Sequence, residues 1–199
     1  MSRELLEAIR PRKKLRVMDL VHAAGIDDSD WTNFKGPNPS TNPKYCYEWA
    51  FVDGERVVVL NLWFDSMEVD GSGIIFQRLN FQNLATKLES EGRHSNWSRR
   101  ARRLDLAFQA AAKLRLPVRV IVNDGNRRDT ERDPDKASQV KRRILDDQVW
   151  SVAEYKWETG DCLLVRGIDP RKFLDQFSLL DFGAAPDKGR SEQAFVCIV

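Results

Sequence analysis

The segment Asn123-Asp124-Gly125-Asn126-Arg127-Arg128-Asp129 carries the densest set of groups suited to a polar, anionic ligand. Asn and Asp side chains can read the edge of a base, glycine permits close backbone approach, and guanidiniums pair with phosphate through parallel N–H···O bonds. The same residues would also make an ordinary polar turn, with Asn and Asp satisfying local backbone groups. Upstream stand Arg99, Arg100, Arg102 and Arg103, and downstream Lys141, Arg142 and Arg143 form a second basic run. Residues 93–143 hold fifteen Lys/Arg against six Asp/Glu, a local +9 in a chain of net +2, so the remainder is acidic. A field segregated in this way concentrates a polyanion at one face. The plainer alternative is a solvated basic helix and loop. Candidate phosphate contacts are Arg99, Arg100, Arg103, Arg127, Arg128, Lys141 and Arg142.

A second set is aromatic. Trp31 and Phe34 lie in an aperiodic stretch, Asp27 to Lys44, that contains three prolines and reads as a long ordered loop. Tyr45, Tyr47 and Trp49 would share one face of a strand under alternation, with Cys46 and Glu48 on the other, and Trp63 belongs to the next strand. Such rings are either core or one wall of a pocket for a flat ligand. Asp65, just beyond Trp63-Phe64, would either accept from an exocyclic amine or simply end the strand. Candidate base-pocket residues are therefore Trp31, Phe34, Tyr47, Trp49, Trp63, Asp65, Asn123 and Asp124.

Catalytic chemistry is poorly represented. The two histidines, His22 and His94, stand far apart, and no HExxH or compact His/Asp/Cys constellation occurs. Asp129, Glu131, Asp133 and Asp135 lie in one segment, and Glu154-Tyr155-Lys156 matches only half of a nuclease motif. No catalytic residue or metal site is expected from these scattered groups, and no cofactor, since GxGxxG and GxxxxGK[ST] are both absent and disfavour a nucleotide. Cys46, Cys162 and Cys197 are widely spaced, which argues against a disulfide scaffold or a structural zinc site. With no long apolar run and a charged start, MSRELLEAIRPRKKLRVMDL, the chain is expected to be soluble and cytoplasmic, without a membrane partner.

The elements that must position these groups are legible in outline. SRELLEAIR predicts a short helix closed by Pro11, and Leu15 to Ala24 a second one ending at Gly25. YCYEWAFVDGERVVVLNLWF predicts two strands around Asp53-Gly54, with the turn register open, and Gly73 to Leu79 a third. Trp97, Ala101, Leu104, Phe108 and Ala111 recur at helical spacing within Ser95 to Arg115. PVRVIVND reads as a buried strand, and VWSVAEYKWETGDCLLVRG as two more joined through Thr159-Gly160-Asp161. RKFLDQF predicts a short helix, followed by a turn-rich tail from about residue 181, and SEQAFVCIV a last strand or the start of something further along. The expectation is one α+β domain over residues 1–199, with about six strands in a largely antiparallel sheet, partly closed if it curls, and flanking helices.

The combination VHAAGIDDSDWTNFKG, NPKYCYEWAF, VVVLNLWF, VNDGNRR and RKFLDQF, spread from Leu15 to Phe177, resembles the N-terminal region of bacterial McrA-like, modification-dependent HNH endonucleases. The resemblance implies a DNA reader whose cutting is done by a separate or fused nuclease module; the HNH histidine pair and zinc-knuckle cysteines do not occur in this sequence. The implied function is recognition of a modified cytosine in duplex DNA for a restriction or defence system, by extruding the nucleotide at a cost of roughly a few kcal/mol. Stacking would fall to Trp31, Trp49 or Trp63 and edge recognition to Asp65, Asn123 or Asp124. The competing readings are an RNA or single-stranded nucleic-acid binder, a metal-dependent nuclease and a protein-interaction module.

Overall fold

The computed structural model describes residues 2–92, 95–127 and 138–170. In chain order these form α1 (Ser2–Ala8), α2 (Val17–Ala23), α3 (Pro43–Cys46), β1 (Ala50–Asp53), β2 (Val57–Trp63), β3 (Glu68–Val69), β4 (Ile75–Asn80), α4 (Phe81–Ser90), α5 (Ser95–Leu114), β5 (Val118–Asn126), β6 (Gln139–Leu145), β7 (Trp150–Tyr155) and β8 (Asp161–Arg166). The expectations for Arg128, for the 129–135 carboxylates, for His94 and for everything beyond Pro170 fall outside the described residues.

The sheet runs β1-β2-β5-β7-β8-β4-β3, with β6 also paired to β5. It is largely antiparallel and open, with β1 and β3 as its two edges rather than a closing pair. One pair is parallel: β2 lies beside β5 from Val58↔Val118 to Trp63↔Asn123. Both strands read as nearly continuous apolar runs, the pattern of strands covered on both faces. Alternate residues enter two cores. Leu60, Leu62, Val120 and Val122 pack with Leu84, Leu104 and Phe108 of α4 and α5, whereas Val59 and Ile121 pack with Val17, Leu20 and Val21 of α2.

Strand β5 is where the sheet divides. Its start pairs with β7 at Val118↔Trp150, and its end pairs with β6 from Ile121↔Leu145 to Asn126↔Gln139, both along the edge opposite β2. Asp146 sits at the fork and holds it. Its backbone N–H donates to Val120 (2.8 Å), and its carboxylate accepts from Trp150 Nε1 (2.7 Å), Arg166 Nε (2.7 Å) and Arg166 NH2 (2.8 Å). The outer edge of β6 pairs at Arg143 with the 13–14 segment.

Several local readings differ from the structure. Tyr45, Tyr47 and Trp49 do not share a strand face, because the amides of Tyr45 and Cys46 both donate to Asn42 O and close a helical turn, so β1 starts only at Ala50. The basic run Lys141–Arg143 belongs to β6, and FQNLATKLES forms α4, capped by Asn80 accepting from the Asn83 amide (2.9 Å). The first hairpin turns through Gly54 to Arg56, with Gly54 at φ +52° and Asp53 ion-paired to Arg56.

Candidate nucleic-acid interface

Because β2 and β5 are parallel, their C-terminal ends meet at one edge of the sheet. Helix α5 leads into β5 through residues 115–117 only, so its N-terminal turns return to that same edge. In open sheets the crevice beyond the strand C-termini is where ligand groups commonly gather. Here it gathers charge.

The centre of that edge is Glu48. Its backbone is fixed by Asn61, whose Nδ2 donates to Glu48 O (3.0 Å), while Asn61 N donates to Trp49 O (2.8 Å). Its side chain is 6% exposed, and Oε1 faces Arg103 NH1 at 3.1 Å and Arg99 NH2 at 3.8 Å. The other oxygen, Oε2, is buried without a hydrogen-bond partner. An orphaned acceptor of this kind costs about 1–3 kcal/mol, and more when charged. Arg100 completes the group, its guanidinium lying 5.7 Å from the centre of the Tyr47 ring. Burial pushes the Arg100 pKa below its ordinary value, against the opposing pull of Glu48. Together with Pro43 and Asn96, these residues line a cavity of about 340 Å³, at the lower end of small-ligand pockets. Tyr47 stands at its rim, 50% exposed.

A second cluster occupies the same ends of β2 and β5. Asp124 accepts from Arg10 Nε (3.1 Å) and lies 3.7 Å from Arg142 Nε. Its hydrogen bond and charge raise the Arg10 pKa above its ordinary value. Arg127 NH1 donates to Asp65 Oδ1 (3.2 Å) and to Ser66 Oγ, and Arg10 lies over the Phe64 ring at 4.9 Å. Between the clusters Asn123 is fully buried, its Nδ2 3.4 Å from Asn61 Oδ1, Leu62 O and Ile121 O. It therefore braces β2 against β5 instead of facing a ligand. Lys141 lies exposed on β6.

The tryptophans are placed differently from a ligand cage. Trp31 stacks on Tyr45 (centroids 4.6 Å) and Phe51 (6.1 Å) beside α2, and is 1% exposed. Trp49 and Trp63 are equally buried in the main core, Trp49 against Phe81 at 6.0 Å. Phe34 folds over Gly36, where a Cβ would collide with its ring. The structure thus joins Tyr47, Arg99, Arg100 and Arg103 around one cavity, and Asp65, Asp124, Arg127 and Arg142 in the neighbouring cluster. It sets Trp31, Trp49, Trp63 and Asn123 apart in the interior. Sequence reasoning missed Glu48, and its only sign was a lone carboxylate in the aromatic run YCYEWAF.

The motif fragment Glu154-Tyr155-Lys156 lies elsewhere: Glu154 and Lys156 are exposed, and Tyr155 Oη donates to Asp105 (2.8 Å). Among the described residues no three His, Cys, Asp or Glu side chains gather as a metal site, and no helix is long and apolar enough to cross a membrane. Comparison with protein-family models, curated proteins and solved structures finds no match for this chain.

Proposed function

We propose that this chain is a nucleic-acid-binding domain that holds duplex DNA against the arginine-rich edge formed by α5, β5 and β6, and reads a modified cytosine there. The observation that carries the reading is the imbalance at Glu48, where Arg99 and Arg103 pair with one carboxylate and Arg100 lines the same cavity. Arg99 and Arg103 are more than half exposed, so their N–H groups remain open to phosphate oxygens. Arg142, 48% exposed and only distantly paired, and Lys141 extend the same charge along β6. The cytosine preference rests on the resemblance described above.

Fluorescence anisotropy with matched duplexes carrying cytosine, 5-methylcytosine or 5-hydroxymethylcytosine, titrated across salt, tests this reading. Binding should weaken steeply with salt, and a modified duplex should bind tenfold or more tighter. Replacing Arg99 or Arg142 by Gln should weaken all duplexes about equally and reduce the salt slope by about one each. Absence of salt-dependent binding to any nucleic acid overturns the proposal. The exposed Tyr47 ring favours one competitor, an unpaired-strand binder, and single-stranded DNA and RNA of the same sequence in the same assay separate the two.

A further inference from the structure

We propose that the Glu48 cavity receives one unpaired nucleobase bearing an exocyclic amino group, with Glu48 Oε2 accepting from that group and the Tyr47 ring stacking on the base. The inference rests on the nucleic-acid reading and specifies what its central site recognises.

Three observations converge on it. The first is Glu48, a residue lining the cavity whose Oε2 is buried with no hydrogen-bond partner, as is Nε of Arg100 from the same lining, while Oε1 of Glu48 is engaged by Arg103 and Arg99. Only a hydrogen-bond donor satisfies such an oxygen. A phosphate or carboxylate ligand, which the arginines alone would welcome, brings further negative charge against it. The second is Tyr47, whose ring is half exposed at the rim with Arg100 near it, a flat surface beside a cation that a base can cover. The third is the setting: the Arg99 and Arg103 side chains line the same cavity and emerge to solvent, where phosphates flanking an inserted base would lie.

Cytosine and adenine each offer an amino group beside a ring nitrogen. Uracil offers only a ring N–H set between two carbonyl oxygens, which would face the carboxylate acceptor to acceptor. The site therefore sorts amino-bearing from keto pyrimidines by repulsion as much as by attraction. This recognition is distinct from stacking on Trp31, Trp49 or Trp63, which are enclosed in the two cores.

The test uses the full chain and fluorescein-labelled duplexes in which a single cytosine, adenine, uracil or no base stands opposite an abasic site, so that extrusion is easy. Cytosine and adenine probes should bind at least tenfold tighter than uracil. Glu48→Gln, whose amide can also donate to a carbonyl oxygen, should bring cytosine and uracil within about twofold while leaving the salt slope in place. Should Glu48→Gln fail to fold, Tyr47→Ala at its half-exposed position should lower affinity for every base-bearing probe toward that of the probe with no base. Equal affinity of the wild-type chain for cytosine and uracil, with salt-dependent binding intact, overturns the inference and leaves the proposed function standing. Persistence of cytosine discrimination in folded Glu48→Gln overturns the assignment to Glu48. Loss of all salt-dependent binding would sink the broader reading as well.

Discussion

Glu48 illustrates how a residue's chemistry is set by chain segments remote from it. Its neighbours in sequence are aromatic, and its partners Arg99 and Arg103 come from α5. No local pattern carries that meeting, so the arginines and Tyr47 were legible as candidates but their common focus was not. The tryptophans teach the converse. Residue type marked Trp31, Trp49 and Trp63 as either core or cage, and only the enclosing helices decide between these. All three indole N–H groups are buried without a partner, so their stabilisation comes from packing area. Trp49→Ala should therefore cost about 3–5 kcal/mol in urea denaturation, while Trp49→Phe, which keeps a ring and removes the orphaned donor, should cost less than half as much.

The division of β5 between β6 and β7 depends on one buried carboxylate. Burial alone would raise the Asp146 pKa, but the hydrogen bonds from Arg166 and Trp150 outweigh it and hold the group below its ordinary value. A carboxylate lowered in the folded state gives stability that is complete above its unfolded value, near 4, and is lost as pH falls through the lower folded value. Asp146→Asn should cost about 1.5–3 kcal/mol at neutral pH, because Arg166 loses its two charge-assisted hydrogen bonds to Asp146 and keeps only the exposed Asp147 at 2.7 Å, and should flatten the stability profile below about pH 4. Denaturant titrations at a series of pH values check both effects. Further along, Gly125 sits at an irregularity in the β5–β6 pairing, where a Cβ would meet Gln139 O and come within 2.7 Å of Lys141 N. Gly125→Ala should open the outer end of this pair, at about 1–3 kcal/mol, and speed hydrogen exchange at the Val140 amide. Of these elements, α5 was legible from its apolar spacing and β2 and β5 from their Val/Leu runs. Strand β6 was not, because KRRIL reads as a basic loop until β5 on one side and the 13–14 segment on the other supply its pairing. The pattern of α4, Phe81, Leu84, Ala85 and Leu88, was present in the sequence and is an ordinary amphipathic face.

Charge and topology act over the whole molecule. The α+β class and the antiparallel character of the sheet followed from hairpin signals and alternation, which are local. The parallel contact of β2 with β5 was not foreseeable, since strand neighbours far apart in sequence leave no local trace. That contact brings the basic segment to one edge, so a polyanion that binds the folded state alone should stabilise all of it. A short duplex at about one hundred times its dissociation constant should raise unfolding free energy by about 2.7 kcal/mol, and added salt should abolish the gain; thermal melts with and without the duplex would check this. The same parallel pair also sets a tempo. Residues 64–117 intervene between β2 and β5, and they include β3, β4 and both helices of the main core. The chain must close this long loop before its two central strands reward it, which gives a high contact order and places refolding in the millisecond-to-second range. During that interval β2 presents a bare apolar edge, so concentrated refolding should lose protein to aggregation well before the native arginine face exists to keep copies apart.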